Sequence, residues 1–278
     1  MTTVALFGAG GKMGVRLATN LAKSDYETLH VEVSLEGQAH LKKETGLDCV
    51  PQAEALEKAD VVILAVPDRL IGQVLSTFVV DLKPGTAVIM LDAAAPYAGT
   101  LPERKDITYF VAHPCHPPLF NDEIQPEALK DYFGGIAAKQ HIICALGQGP
   151  EEHYQICADV ARAFYAPVMR VHRCTVEQMA ILEPALSETV GATFAKALAD
   201  ATQAASDRGI PYQAAEDFML GHLNILLATS FGHQPGGKLS DGCLLAIEEA
   251  EPVIFKDGWL ERVFDLNAIK ASVKSICQ

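Results

Sequence analysis

The stretch Gly8-Ala9-Gly10-Gly11-Lys12-Met13-Gly14 constrains this chain more than any other part of it. It follows the apolar run Val4-Ala5-Leu6-Phe7 and leads into Met13, Leu17 and Leu21, which have helical spacing. A strand, a glycine turn and a helix N-terminus in immediate succession make an anion site. Glycines let the backbone approach a pyrophosphate, and the free N–H groups and dipole of the helix stabilise its charge. The pattern and its placement predict a dinucleotide-binding turn, with a purely structural turn as the alternative. Gly8, Gly10, Gly11, Lys12 and Met13 are the expected contacts.

The rest of the first half fits that reading. Apolar runs at Thr3–Phe7, 29–34, 61–66, 87–91, 107–112 and 141–145 alternate with helix-like stretches, and 151–165 and 168–172 add a helix and a last strand. Such alternation predicts an α/β fold with a parallel sheet of Rossmann type, covered by helices on both faces. Beyond about Thr175 the β-like runs stop. Met179, Leu182, Leu186, Val190, Thr193 and Ala197 form a helical stripe, and 213–229 is apolar over most of its circumference. The expected division is a dinucleotide-binding domain over 1–174 and an all-helical domain over 175–278. A helix as apolar as 213–229 needs cover, within a bundle or against a second subunit, so a homodimer is expected.

Composition narrows the partners. The formal net charge of −13 argues against nucleic acid and anionic membrane. Seven cysteines occur without a C-x-x-C pair, as expected for reduced thiols. No apolar run approaches the ~20 residues that span a bilayer, and the start lacks a signal-peptide layout. A soluble cytoplasmic protein with a small-molecule substrate is the expectation.

In dinucleotide folds the residue ending the second strand reads the adenosine ribose. Counting from Gly8 places Ser34 there, with Glu32 and Glu36 beside it and no Arg or Lys before Lys42. The missing cation favours NAD over NADP. Val66-Pro67-Asp68, ending the next strand across the switch point, should line the nicotinamide side, with Asp68 also expected as a helix N-cap. Asp92 ends another strand and is a weaker candidate.

The second chemical feature is Ala112-His113-Pro114-Cys115-His116-Pro117-Pro118. It follows a strand, so both imidazoles belong at the carboxyl edge of the sheet, stiffened by three prolines. They read as metal ligands or acid/base groups, against a structural turn. Glu183 lies near the apolar stripe of its helix at ~100° per residue and is expected largely buried; Glu188 falls opposite and faces solvent. Pro184 removes a helical N–H beside Glu183. A histidine and a glutamate with open positions suit a divalent Lewis acid, Zn²⁺, Mn²⁺ or Mg²⁺. His222 reads as a satisfied core or interface histidine. Lys238, in the polar loop 232–242, either reaches a substrate carboxylate or is simply loop.

The opening Val-Ala-Leu-Phe-Gly-Ala-Gly-Gly-Lys-Met-Gly, the Ala-His-Pro-Cys-His-Pro loop and Ile181-Leu182-Glu183-Pro184-Ala185 together resemble the D-apionate oxidoisomerases. These bacterial sugar-acid enzymes are related to the 6-phosphogluconate and 3-hydroxyacid dehydrogenases and to ketol-acid reductoisomerase. The resemblance implies NAD-dependent oxidation at C2 of a branched sugar acid, then metal-assisted migration of a hydroxymethyl group. It implies His113 and Glu183 as metal ligands, Glu183 thereby serving catalysis, and His116 as a further ligand or proton shuttle. Asp92 is followed by three alanines where ordinary hydroxyacid dehydrogenases carry a serine motif.

Other readings are a metal-independent NAD(P)-dependent dehydrogenase of a small hydroxy acid or semialdehyde, and a thiohemiacetal mechanism through Cys115. A non-catalytic NAD sensor is a third.

Overall fold

A computed structural model describes residues 2–277 and divides into two compact units, Met1–Ala180 with Lys270–Gln278, and Ile181–Ile269. The first unit thus runs past the 174/175 boundary expected from composition and takes back the C-terminal segment. Within that segment Val273 is fully buried.

The first unit is built on a seven-stranded sheet with strand order β2-β1-β3-β4-β5-β6-β7. The strands are β1 Thr3–Phe7, β2 Glu27–Val31, β3 Val61–Leu64, β4 Ala87–Met90, β5 Thr108–Pro114, β6 Gln140–Gln148 and β7 Val168–Arg173. The first five pair in parallel, and order reverses on the two sides of β1. One feature departs from the expected all-parallel sheet. β6 runs antiparallel to β5, and β7 then runs parallel to β6.

Strand residues alternate between two buried layers, which is why β1 and β3 read as unbroken apolar runs. Ala5, Phe7, Val62 and Leu64 pack on one face with Phe78 and Leu75. Val4, Leu6, Val61 and Ile63 pack on the other with Leu17, Leu21 and Phe164. Fully burying each large side chain contributes roughly 1.5–3 kcal/mol.

Three local expectations shift. β2 begins and ends earlier than read, so Ser34 lies beyond it as the N-cap of the helix Leu35–Thr45, its Oγ accepting from the Gly37 amide. Asp68 opens a 3₁₀ turn, Asp68–Leu70; the helix proper is Ile71–Phe78, and no side chain caps either element. The single helix drawn through Met179 and Ala197 is instead an α-helix Val176–Ala180, a π-helix Ile181–Ala192 and an α-helix Thr193–Ser206.

Pro184 sits in the π stretch. Its missing N–H removes an i→i−4 bond, and Thr189 Oγ1 bonds back to the Pro184 carbonyl five residues away. The wider turn breaks the stripe: Leu186, Thr193 and Ala197 are exposed.

The second unit adds helices Tyr212–Ser230, Asp241–Ile254 and Trp259–Val263. Phe194, Phe255 and Trp259 cluster there, with Phe255 stacked on Trp259 at 5.1 Å. The apolar helix Tyr212–Ser230 has no buried residue among those described.

Candidate active site

The carboxyl edge of the sheet gathers the ends of β1, β3, β4 and β5. At the end of β1, Gly8 takes φ +76°, and both its amide and that of Ala9 donate to the Val31 carbonyl. A Cβ on Gly8 would meet the Ala65 carbonyl at the end of β3, and one on Gly14 would meet the Gly8 carbonyl. Gly10 is pressed against Gly37, whose backbone occupies the space a side chain would need. Glycine is thus required at three positions by close backbone approach.

The helix Lys12–Leu21 starts at Gly11 with no side-chain cap and no acidic residue in its first turn. None of its leading amides is met by a capping side chain, the arrangement that suits an anion at a helix N-terminus.

Glu32, one residue past β2, donates nothing and accepts twice: Oε2 from the Gly10 amide at 3.1 Å and Oε1 from the Ser34 amide at 3.0 Å. This carboxylate, rather than the Ser34 side chain, lies at the strand end next to the glycine turn. The sequence marks Glu32 only as a neighbour of Ser34, because a strand running to 34 puts Ser34 at its end, whereas β2 stops at Val31. His40 closes the other side, its Nδ1–H donating to the Gly10 carbonyl at 2.8 Å.

Val66 and Pro67 follow β3, and Asp68 opens the next turn. Asp92, past β4, accepts from the Ala94 amide at 2.6 Å. Its other oxygen lies 3.8 Å from His113 Nδ1.

His113 falls inside β5 rather than on a loop after it. Its Nδ1–H donates to the Leu91 carbonyl at 2.8 Å. In the neutral ring that bond puts the lone pair on Nε2. His116 shows the same arrangement with another partner: Nδ1–H donates to the Phe133 carbonyl at 2.9 Å, leaving Nε2 as the acceptor. The two imidazoles lie with ring centroids 6.4 Å apart, each fixed in its tautomer by a backbone carbonyl.

His116 also holds φ at +61°, the one non-glycine residue among those described with a positive φ. Backbone strain of this kind persists only where surroundings enforce it. Here the turn is held by the His116 Nδ1 bond to Phe133 and by the Cys115 amide on the His141 carbonyl, and buried donors tie the neighbouring segments. Tyr165 donates to the Ala112 carbonyl at 3.2 Å, and burial pushes its hydroxyl well above the usual tyrosine range, so it remains a donor. Asn20 donates to the carbonyls of Gly135, Phe164 and Ala166.

Asp131 accepts from the amides of Ile136, Ala137 and Ala138 and pairs with Arg16 at 2.9 Å. Burial alone would raise the Asp131 carboxyl; the amides and the guanidinium outweigh it and hold it below the usual carboxylate range. None of these supports was legible as a motif, since each joins residues far apart in sequence.

Cys115 is exposed on the same loop, its amide donating to the His141 carbonyl at 2.9 Å. Burial pushes Cys144 and Cys157 up to about 12, which makes them inert packing thiols.

In the helical unit Glu183 is half-buried rather than largely buried, and Glu188 is exposed as expected. His222 is exposed, not a core residue; it stacks on Phe218 at 4.0 Å and bonds the Phe218 carbonyl. Lys238 is exposed on its loop. Among the described residues, no group of three or more His, Cys, Asp or Glu side chains is gathered closely enough to hold a metal ion.

Comparison with known proteins bears on this geometry. The C-terminal domain model of decarboxylating phosphogluconate dehydrogenase matches residues 121–277, and a model of coenzyme F420-dependent NADP oxidoreductases matches residues 3–96. With the uncapped glycine turn, these matches place the chain among the NAD(P)-dependent oxidoreductases.

Closer relatives fix the family. The chain is 55% identical over 273 residues to a D-apionate oxidoisomerase of Cupriavidus necator, covering 98% of both chains. It is 54% identical to another from Rhizobium rhizogenes, covering 99% of this chain and 100% of that one. A solved structure from Cupriavidus necator, described as a semialdehyde dehydrogenase NAD-binding protein in complex with calcium and NAD, superposes with a TM-score of 0.97. It shares 55% identity and covers 99% of each chain. The chain belongs to the D-apionate oxidoisomerase family.

Proposed function

We propose that this protein is an NAD-dependent oxidoisomerase that converts D-apionate to 3-oxo-isoapionate. The observation that carries the reading is the pair of tautomer-fixed imidazoles at the sheet edge that also bears the uncapped dinucleotide turn. Gly8, Gly10, Gly11, Lys12 and Met13 take the pyrophosphate, and Val66, Pro67 and Asp68 border the nicotinamide side.

Glu32 takes the adenosine ribose, with Ser34 as the neighbouring cap. A carboxylate there favours a 2′-hydroxyl and repels a 2′-phosphate, which selects NAD. The relative solved with NAD supports that choice.

NAD⁺, when bound, supplies the acceptor for the hydride leaving C2. His116 Nε2 takes the proton of the C2 hydroxyl as that carbon becomes a ketone. In the second half, the C3 hydroxyl gives up its proton to solvent water as the hydroxymethyl group shifts from C3 to C2. C3 becomes the new ketone, C2 becomes a tertiary alcohol, and the proton held on His116 is returned to the C2 oxygen. The net products are 3-oxo-isoapionate, NADH and one proton released to water.

A divalent cation, Zn²⁺, Mn²⁺ or Mg²⁺, would polarise the two oxygens. His113 meets one requirement of a ligand, because its Nδ1–H is already held by a carbonyl and Nε2 carries the lone pair. Glu183 is proposed as the carboxylate ligand on the donor chemistry of its Ile-Leu-Glu-Pro-Ala segment. The calcium recorded with the Cupriavidus structure supports a divalent ion in the family.

The test is turnover after exhaustive chelation, with products followed by NMR. Loss of activity restored by a divalent ion, with 3-oxo-isoapionate as product, is expected. Undiminished activity giving an unrearranged 2-keto acid would instead favour a metal-independent hydroxy-acid dehydrogenase.

The protein is further proposed to work as a homodimer, because the helix Tyr212–Ser230 leaves Phe218 68% and Leu220 59% exposed. A cytoplasmic setting fits its seven free cysteines. No helix among the described residues is long and apolar enough to cross a membrane.

A further inference from the structure

Phe133 is a large aromatic residue that leaves 45% of its surface exposed, so core packing does not explain it. What it touches is more informative. Its carbonyl accepts from His116 Nδ1 at 2.9 Å, and its ring meets the His116 ring edge-on at 5.4 Å. The opposite neighbours come from the glycine-turn helix: the Lys12 ammonium lies 4.1 Å from the ring centroid and the Arg16 guanidinium 5.7 Å. One residue therefore contacts the imidazole twice and the cofactor helix twice. The loop on its C-terminal side is clipped by Asp131 and Asn20, and Arg16 also donates to the Gly134 carbonyl. Phe133 thus lies between the imidazole and the cofactor helix, in contact with both.

We propose that Phe133 is a positioning residue that couples occupancy of the glycine turn to the orientation of His116. Lys12 has two competing attractions, the ring face and a diphosphate. A charge–charge contact with a diphosphate is the stronger of the two. Arrival of the diphosphate draws Lys12 off the ring, and the ring and its carbonyl resettle against His116. The imidazole is thereby placed for proton transfer only when the cofactor turn is filled. The proposal rests on the dinucleotide reading of the turn and not on the identity of the substrate.

ADP-ribose is the probe, because it carries the adenosine diphosphate but no nicotinamide that could reach His116 directly. The readout is the imidazole ¹⁵N and ¹H signals of His116, assigned by their loss in His116→Asn. ADP-ribose is expected to shift them in the native protein. In Phe133→Leu the shift should fall at least about threefold, while affinity for ADP-ribose stays within about threefold of native. Phe133→Tyr keeps the ring and restores the shift. Lys12→Met, which leaves Phe133 untouched, should abolish it at saturating ADP-ribose. His116 signals that ignore bound ADP-ribose in the native protein, or that move equally in Phe133→Leu, overturn the coupling alone. Failure of ADP-ribose to bind overturns the dinucleotide reading and the coupling with it.

Discussion

The sheet unit and the helical unit are comparably apolar in sequence but dispose of that surface differently. In the first, β1, β3 and β4 are buried on both faces, and the polar groups around the histidine loop are paired to backbone. In the second, the helix Tyr212–Ser230 has no fully buried residue, and Asp241–Ile254 leaves Leu244, Leu245, Val253 and Ile254 exposed. The first unit is complete as a scaffold for chemistry. The second packs Phe194, Phe255 and Trp259 together yet leaves much of its apolar surface exposed. The contrast teaches that substitutions in the sheet unit should read out in turnover and cofactor affinity, and those on the exposed helices in assembly.

The largest effect sharpens the first half of that contrast. His116→Asn removes the imidazole yet tolerates the positive φ, because asparagine enters the left-handed region readily. Turnover with D-apionate should fall roughly 10²–10⁴-fold in an NADH assay, with NAD affinity little changed.

Next comes Gly10→Val, whose side chain must displace the Gly37 backbone. NAD affinity by fluorescence titration should fall on the order of 10–100-fold. Binding at native strength would show that the turn is structural only.

Leu220→Asp addresses the other unit. Sedimentation should show a species of half the native mass, with about 1.5–3 kcal/mol of apolar burial removed per protomer. An unchanged mass would break the comparison, because the exposed helix would then need no partner.

The smallest effect is Asp131→Asn. Loss of the charged acceptor should cost the sheet unit about 1–3 kcal/mol near neutral pH. The sign follows from the depressed carboxyl: its contribution is full above the usual carboxylate range and is lost as pH falls through the lower folded value. The variant should therefore unfold with a flatter acid limb than the native protein.

Much of the sheet was legible because strands buried on both faces appear as unbroken apolar runs; Val4–Phe7 and Val61–Leu64 leave little else to form. Direction was not. A buried strand reads the same either way, so nothing in the residues of β6 announced that it runs antiparallel to β5.

The histidine pair was visible as a motif, whereas the tautomers that give it meaning depend on the carbonyls of Leu91 and Phe133. Glu32 is hard to single out because the apolar run continues to Val33, whereas β2 stops at Val31. The angular argument for Glu183 assumed 100° per residue, and Pro184 lies in a π stretch to which that rule does not apply. Local patterns carry strand positions well; they carry poorly whatever depends on a partner tens of residues away.

The return of the C-terminal segment into the sheet unit sets the order in which the molecule can be finished. Residues 181–269 are an insertion, with the sheet unit's own chain on both sides. On the ribosome, the dinucleotide turn and all seven strands emerge before residue 181, but Val273, buried in that unit, emerges only after residues 181–269. The unit whose strands are translated first is therefore sealed only after the helical unit has been made.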